Sequence, residues 1–383
     1  MSGTGRLSEL DALRGIAALT VALGHFWGAF FEDPEGSLLA QMTNPSLILA
    51  SYLGHNAVVL FFLLSGFVLA IPRIDRRPQS YGVFLTRRVF RIYLPYVAAL
   101  ALAALGDLWL RGAIPLSDWA RDDWGNPWTQ PLSWHLVGQH LLFLGFYDFT
   151  QINGVFWSLI VEMRVSILFP LLCALVLFLK PLRAVTMALC ASAAAVLLSI
   201  YFPCPQGVSL DTTLHFAGFF VLGILLAQYR ENLGRQVLRW RRGVAGAALA
   251  TALFFYIFGA FLSDAFLRPL CPHAGDVVAD WITALAASLL IVLSMNLANF
   301  RALLLTKPCR FLGRISYSVY LIHTPISFIL LWLLYGKISV WGILGLFVAA
   351  TLGLSALFYK FVEEPSMNWG RKVGDRFKRA SAA

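Results

Sequence analysis

Long apolar segments alternate with short polar segments along most of the chain. Apolar runs of about 18–25 residues match the length that a helix needs to cross the hydrocarbon core of a bilayer. They predict ten membrane-spanning helices, near residues 11–31, 54–71, 92–110, 155–179, 184–201, 212–229, 243–262, 281–299, 315–335 and 339–361. A further apolar segment, 134–146, is too short to cross and predicts a re-entrant or interfacial helix. The pattern therefore predicts an all-α polytopic membrane protein.

Positive charges give an independent test of this map, because cytoplasmic loops are richer in Lys and Arg than external loops. The basic segments are 72–91, 230–242, 300–314 and the tail 363–383. The intervening segments 32–53 and 202–211 contain no Lys or Arg, and 263–280 contains only Arg268. All basic segments fall on one side only if 134–146 does not cross. We therefore expect both termini in the cytoplasm.

Composition favours one membrane domain over residues 1–383, with 363–383 as a short basic cytoplasmic tail. The 383 residues are 59% hydrophobic and 13% charged, with a net charge of +10. We interpret this charge as topology and anion binding rather than as a nucleic-acid surface. The first apolar segment lacks a cleavage signal, so we expect it to stay as the first helix. No Cys/His spacing suggests a metal site. A bacterial inner (plasma) membrane location is the expected one.

Arg14 and His25 are two ionisable residues inside the first predicted span. Such groups are costly in a membrane and are a functional-site hypothesis by default. Their spacing of 11 residues is roughly three helical turns plus 20°, so both side chains point to one face, roughly 16 Å apart. One face of this helix could therefore hold an anion near one surface and carry out acid/base chemistry near the other.

Glu162 lies in another span, FWSLIVEMRVSILFP, with Ser158 and Ser166 at helical spacing. Entering from the external side near residue 155, this helix would place the carboxylate about 10 Å below that surface. His25 is expected at a matching depth, so a His25–Glu162 contact that orients the imidazole as a general base is allowed. The alternative is that Glu162 pairs with Arg164 or another helix and that His25 is a satisfied core histidine.

Three further motifs suggest function less strongly. Arg87, Arg88 and Arg91 in FLTRRVFRIYLP have the spacing to bind a phosphate, although a stop-transfer and anionic-lipid anchor explains them equally well. Ser65 precedes a mid-helix glycine that could serve close helix packing alone. His323 is another histidine within a span, and buried polar packing is its alternative.

Six sequence blocks carry a family resemblance. They are, in order, LDALRGIAALTVALGH, FFLLSGFVL, RRVFRIYLP, FWSLIVE, SYSVYLIHTP and EEP (363–365). Together they resemble the acyltransferase-3 family of integral membrane enzymes, which O-acylate glycans, lipopolysaccharide, Nod factors and some antibiotics. One departure is the sequence Met163, Arg164, Val165 and Ser166 after Glu162, where many members have a second polar residue and Phe-Tyr.

The resemblance implies an acyl-CoA-dependent O-acyltransferase. It implies that His25 is the essential histidine, that Glu162 belongs to the site, and that Arg14, Arg88 and Arg91 serve the acyl donor. We predict Glu162 as a second catalytic residue, and Arg87 and Ser65 as further acyl-donor residues. Asp11, Trp157, Ser158, Arg164, Tyr317 and His323 are the supporting residues that we predict around this site. Acyl-CoA, most simply acetyl-CoA, is the expected co-substrate, with no bound cofactor.

The expected acceptor is a hydroxyl of a glycan, a lipid-linked sugar or a glycosylated small molecule at the external leaflet. The segment 117–134 supports a sugar, because its aromatic and polar residues (Trp119, Trp124, Trp128, Trp134, Asp122, Asp123 and Asn126) suit stacking and hydrogen bonding. An interfacial tryptophan belt is the alternative. The rival class is a transporter with a His/Glu/Arg relay, although the chain shows no related halves. Cys204 and Cys271, in external loops, could form a disulfide.

Overall fold

The computed structural model describes residues 7–28, 48, 52–77, 79–113, 128, 131–145, 147–203, 207–271 and 274–380. Within these ranges the regular structure is helical. The first helices are α1 Ser8–Gly28, α2 Gly54–Ile74, α3 Tyr81–Ala113, α4 Trp134–Leu142, α5 Phe156–Phe178, α6 Pro181–Tyr201 and α7 Leu210–Leu238. They are followed by α8 Arg242–Phe266, α9 Gly275–Asn296, α10 Ala298–Leu304, α11 Lys307–Leu334, α12 Val340–Phe358 and α13 Glu364–Ala380.

Nine of the described helices are long and apolar enough to cross a membrane. They coincide with nine of the ten predicted spans and confirm a polytopic all-α membrane protein. The tenth, α1, has 21 residues and is therefore about 30 Å long, enough to cross. Its polar residues, among them Asp11, Arg14 and His25, interrupt its apolar stretch. The nine-residue α4 is too short to cross, as the sequence predicts.

The chain forms two compact units that interleave along the sequence. Unit 1 comprises Met1–Arg77, Leu171–Pro203 and Leu214–Tyr317, and unit 2 comprises Pro78–Pro170, Cys204–Thr213 and Ser318–Ala383. The boundaries fall inside helices as well as between them, since α5, α7 and α11 each contribute to both units. Residues that are distant in sequence are therefore brought together within each unit.

In unit 1, glycines allow helix backbones to approach each other closely. A Cβ at Gly66 of α2 would overlap the backbone of Phe220 in α7, and one at Gly223 would overlap the backbone of Leu63. Gly15 of α1 lies in the same way against Gly313 of α11. Close packing thus accounts for the glycine that follows Ser65, whatever the role of the serine itself.

The residues at the two ends of α2, α7 and α9 differ in charge. At the ends that follow the arginine-poor segments, His55, His215 and Asp280 are hydrogen-bonded. At the opposite, arginine-rich end, Arg230 forms an ion pair with Asp75 at 2.7 Å. Gly234 of α7 lies against Asn296, the last residue of α9, so these three helices run parallel, as the predicted alternation of loops requires.

In unit 2, the predicted basic tail is a helix that packs against α3. A π-helical turn, Tyr359–Glu363, connects α12 to α13. The buried residues of α13 include Ser366, Gly370 and Gly374. A Cβ at Gly370 would lie 2.6 Å from the Cβ of Phe90, so only glycine allows this contact. The tail is thus part of the folded unit.

Candidate active site

The first helix holds the two residues that the sequence singles out most strongly. Arg14 and His25 both lie in the continuous helix α1, which confirms the helical spacing on which their common face depends. The Arg14 guanidinium is 3.9 Å from the Asp11 carboxylate, one turn earlier. His25 is exposed and lies in the last turn of α1. Asp11, Arg14 and His25 therefore lie along one face of α1.

In unit 2, Glu162 forms an ion pair with Arg88. Nη2 of Arg88 donates to Oε1 of Glu162 at 2.6 Å, and the same guanidinium donates twice to the Ser166 hydroxyl, at 3.0 and 3.2 Å. The Arg88 side chain is 7% exposed, and the Glu162 side chain is 21% exposed. Arg88 lies in helix α3 rather than in a loop, and its contact with Glu162 shows that the predicted cytoplasmic level of Arg88 and the predicted external level of Glu162 do not both hold.

The lengthwise offset between α3 and α5 explains why Arg88 and Glu162 meet. The ring of Phe156, at the start of α5, is 4.5 Å from that of Tyr96, and Phe84 stacks on Phe169 further along. The two helices are therefore antiparallel, and α5 begins beside the middle of α3 rather than at its far end. Arg88 consequently reaches the second turn of α5.

A packed segment occupies the space beyond the start of α5. His140 of α4 is fully buried, and the Tyr96 hydroxyl lies 2.9 Å from its Nδ1 atom. Burial lowers the pKa of His140 to about 4, so the ring is neutral at physiological pH. Trp128 is 1% exposed and donates its indole N–H to the carbonyl of Ile152. Trp128 is thus a packing residue, whereas Trp134 is 71% exposed.

The three arginines of α3 have different surroundings. Arg87 donates to Gln79 at 3.1 Å and to Asp375 of α13 at 2.9 Å. Arg91 is exposed and lies 3.9 Å from the sulfur of Met367, also in α13. Arg87 and Arg91 therefore face the tail helix, and Arg88 faces α5.

Arg164 connects two loop segments of unit 2. Its guanidinium donates to the carbonyls of Val208 at 2.8 Å, Gly145 at 2.9 Å and Leu144 at 3.1 Å, and to the Thr213 hydroxyl at 3.1 Å. A planar group with five N–H donors suits this task. These bonds account for a charged residue at the position where the sequence departs from the family pattern.

Ser158 and His323 lie in the same unit as Glu162. The Ser158 hydroxyl is 2.6 Å from that of Tyr320, which also donates to the carbonyl of Val155. His323 is fully buried, and its Nδ1 atom donates to the carbonyl of Val319 at 2.9 Å. This bond leaves Nε2 as the proton-accepting atom of the neutral ring.

The remaining predicted residues are divided between the units. Ser65 and Tyr317 belong to unit 1, and Trp157 belongs to unit 2. Trp119, Trp124, Asp122, Asp123, Asn126 and Cys204 lie outside the described residues. Cys271 is a free, exposed thiol.

Comparison with known proteins identifies the chain. A family model described as "Acyltransferase domain" (acyltransferase-3) matches residues 7–360. The chain belongs to the acyltransferase-3 family. It is 24% identical over 390 residues to Nodulation protein 10 of Rhizobium leguminosarum bv. viciae, covering 95% of this chain and 94% of that protein. No solved structure matches.

Two shorter similarities cover about a quarter of the chain. Protein 2 in picA locus of Rhizobium radiobacter is 39% identical over 102 residues, which are 26% of this chain and 44% of that protein. Acyltransferase MdmB of Streptomyces mycarofaciens is 37% identical over 101 residues, 26% of this chain and 24% of that protein. This acyltransferase-3 protein is therefore a membrane-embedded acyltransferase, and the transporter alternative loses its support.

Proposed function

We propose that this protein transfers an acyl group, most simply acetyl, from cytoplasmic acyl-CoA to a hydroxyl of a sugar or glycosylated acceptor at the external leaflet of a bacterial inner membrane. The observation that carries the proposal is α1, a continuous helix with Arg14 and His25 on one face. Family membership supplies the reaction class, and the helix supplies a cation and a base at different membrane depths.

The donor side of the proposal rests on the arginines of α3. Arg91 is exposed, and Arg87 lies beside it on the surface that α13 covers in part. Guanidinium groups bind phosphates by paired hydrogen bonds, and the diphosphate of CoA suits two neighbouring arginines. Arg14, on the same face of α1 as His25, and Ser65 are proposed as further donor residues, and Asp11 as a supporting residue.

Arg88 takes a different part in this scheme, because its charge is engaged by Glu162. We assign the pair to the alignment of α3 with α5, which fixes where Arg87 and Arg91 present their guanidinium groups. The sequence-based pairing of Glu162 with His25 stays a prediction. Ser158, Trp157, Tyr317 and His323 stay proposed supporting residues.

His25 performs the proton transfer in the proposed reaction. Its imidazole removes the proton from the acceptor hydroxyl, and the oxygen attacks the thioester carbonyl. The carbon–sulfur bond breaks, and the imidazolium returns the proton to the CoA thiolate, so that free CoA and an ester are the products. In the alternative route, a His25 nitrogen attacks the thioester carbonyl and CoA leaves as the thiol; the acceptor hydroxyl then attacks the acyl-imidazole, the carbon–nitrogen bond breaks, and the ester is released.

The experiment is an incubation of purified protein with labelled acetyl-CoA and cell-envelope fractions from a strain lacking the gene. We expect label in ester linkage on a saccharide. His25→Ala should lower the transfer rate by at least about 100-fold, the loss typical for a general base. His135→Ala is the matched control, because His135 is exposed on the short helix α4. Label on a lipid or small molecule instead would refute the sugar acceptor and keep the acyltransferase.

Retention of more than about a tenth of the wild-type rate in His25→Ala would remove His25 from the catalytic role. The release of free CoA is measured in parallel, so that hydrolysis without transfer is recognised. If wild-type protein consumes no acetyl-CoA with any fraction, the acyl-CoA donor is refuted.

A further inference from the structure

The tail helix α13 lies against the two arginines of α3 that are proposed to bind the acyl donor. Arg91 lies 3.9 Å from the sulfur of Met367, and Arg87 donates to the Asp375 carboxylate at 2.9 Å. The two helices are antiparallel, because the later residue of α13 meets the earlier residue of α3. The arginines of α3 therefore reach α13 at two points that are eight residues apart.

Arg371 lies midway between these two points. Met367, Arg371 and Asp375 are spaced at i, i+4 and i+8, so they form one stripe along α13. Arg371 is thus about 6 Å along the helix axis from each contact. Its side chain is exposed, and its Nη2 atom donates to the amide oxygen of Asn368. A guanidinium group has five N–H donors, and this bond uses one of them.

Two glycines bring this stripe close to α3. A Cβ at Gly370 would lie 2.6 Å from the Cβ of Phe90, and one at Gly374 would lie 3.3 Å from the Nε atom of Arg87. The backbone of α13 therefore passes directly beside the Arg87 side chain, and Asp375 holds the end of that side chain. Larger residues at these two positions would push α13, and the stripe with it, away from the arginines of α3.

The charges on this surface do not cancel. Arg87, Arg91 and Arg371 provide three guanidinium groups, and the carboxylate that contacts one of them, Asp375, is 57% exposed. Glu364, at the start of α13, is two turns from Arg371, about 10 Å along the helix. Guanidinium groups bind phosphates by paired hydrogen bonds, so this surface suits a ligand that carries more than one phosphate group.

We propose that Arg371 completes the acyl-donor site by binding the 3′-phosphate of CoA, while Arg87 and Arg91 bind its diphosphate. This inference rests on the proposed function, because it adds a residue to the proposed donor site. CoA carries the two phosphate-containing groups on one ribose, so arginines on two adjacent helices match its distribution of charge. Arg371 lies beyond residues 7–360, which match the family model.

Such a contact makes Arg371 a specificity-determining residue for the donor. A phosphopantetheine arm that is attached to a carrier protein presents the same thioester but has no 3′-phosphate. Arg371 would therefore favour free acyl-CoA over an acyl carrier protein.

The test compares two ligands that differ by this one phosphate. CoA and 3′-dephospho-CoA are titrated separately into detergent-purified full-length protein, and calorimetry gives both dissociation constants. We expect the wild-type protein to bind CoA about ten-fold more tightly, the equivalent of one hydrogen-bonded contact between charged groups. Arg371→Gln should weaken the binding of CoA about ten-fold and leave that of 3′-dephospho-CoA unchanged, so that the preference disappears.

Arg376→Gln is the matched control. Arg376 is exposed on the same helix, and the five intervening steps of the helix turn its side chain about 140° away from Arg371. This substitution removes the same charge from α13, so a general loss of positive potential would affect both variants alike. We expect Arg376→Gln to keep the ten-fold preference, and the melting temperatures of both variants to equal that of the wild-type protein.

Equal binding of the two ligands by the wild-type protein overturns the assignment, and so does an Arg371→Gln protein that keeps the preference. Anionic phospholipid is the other source of phosphate groups at a basic helix. If Arg371→Gln weakens binding to phosphatidylglycerol micelles and keeps the CoA preference, Arg371 is a lipid contact and the assignment is wrong.

The proposed function can fail separately from this site. If the wild-type protein binds neither CoA nor 3′-dephospho-CoA, the acyl-CoA donor of the proposed function is refuted together with the role of Arg371. If binding follows the expected pattern and no acetyl group is transferred, the proposed reaction is refuted and the CoA site stands.

Discussion

Breaking the Arg88–Glu162 pair from each side tests whether it aligns α3 with α5. The bond is 2.6 Å long, and the Arg88 side chain is 7% exposed. Removing one partner of a buried pair leaves an uncompensated charge and typically costs about 3–5 kcal/mol. Since the Glu162 carboxylate is 21% exposed, water offsets part of this loss. We expect Arg88→Met and Glu162→Gln each to lower the free energy of unfolding by about 2–4 kcal/mol.

The double variant distinguishes the interaction energy of the pair from the contribution of each side chain alone. Arg88→Met with Glu162→Gln leaves no unpaired charge, so its loss should be smaller than the sum of the single losses by at least about 1 kcal/mol. The assay is denaturant unfolding in detergent micelles, followed by tryptophan fluorescence. Arg87→Met is the matched control. The Arg87–Asp375 pair is 35% and 57% exposed and should contribute less than about 1 kcal/mol.

Additivity would refute this reasoning. If the single losses sum to the double loss within about 0.5 kcal/mol, the two residues do not stabilise the fold as a pair. A different result would reassign Arg88: unchanged stability with a raised KM for acetyl-CoA would place its guanidinium at the donor phosphates.

Three further predictions concern the donor arginine, the tail helix and the topology. Arg91→Ala should raise the KM for acetyl-CoA about ten-fold with a smaller effect on kcat, which a titration of both constants measures; a pure kcat loss would contradict a donor role. Gly370→Leu should lower the melting temperature by several degrees because the site has no room for a Cβ, whereas Gly345→Leu, with open space around it, should not. Cys271 in a Cys204→Ser background should react with an impermeant maleimide from outside intact cells, and reaction only from the cytoplasmic side would overturn the topology.

The spans could be predicted because hydropathy is a local property of the chain. The helix ends could not. The predicted span 92–110 is only part of α3, Tyr81–Ala113. The arginines in the first turns of α3 lower the hydropathy there, so hydropathy alone does not reveal that the helix begins before the apolar region. The tail was recognised only by its positive charge. Its packing against α3 could not be predicted, because it depends on a contact between Gly370 and Phe90, which are far apart in the sequence.

The geometry of the candidate site likewise depends partly on local sequence and partly on contacts between residues that are distant in the sequence. The Arg14–His25 relation follows from the helical repeat, and the structure confirms the continuous helix on which it depends. The Arg88–Glu162 pair depends on where α5 begins beside α3, at a point where Phe156 packs against both Tyr96 and His140. His55 and Asp280 are 225 positions apart. The one sequence signal that could have found them is an ionisable residue at the arginine-poor start of each of α2, α7 and α9.

An ionisable residue in an apolar helix is therefore only a starting point for assigning function in this fold. Arg164 is an ionisable residue within a membrane-spanning helix, as His25 is, yet its guanidinium holds backbone carbonyls. Glu162 meets it and holds Arg88. What distinguishes a reacting group is an accessible ring nitrogen whose other nitrogen is held by a fixed partner, because only such a group can exchange a proton or a hydrogen bond with a substrate.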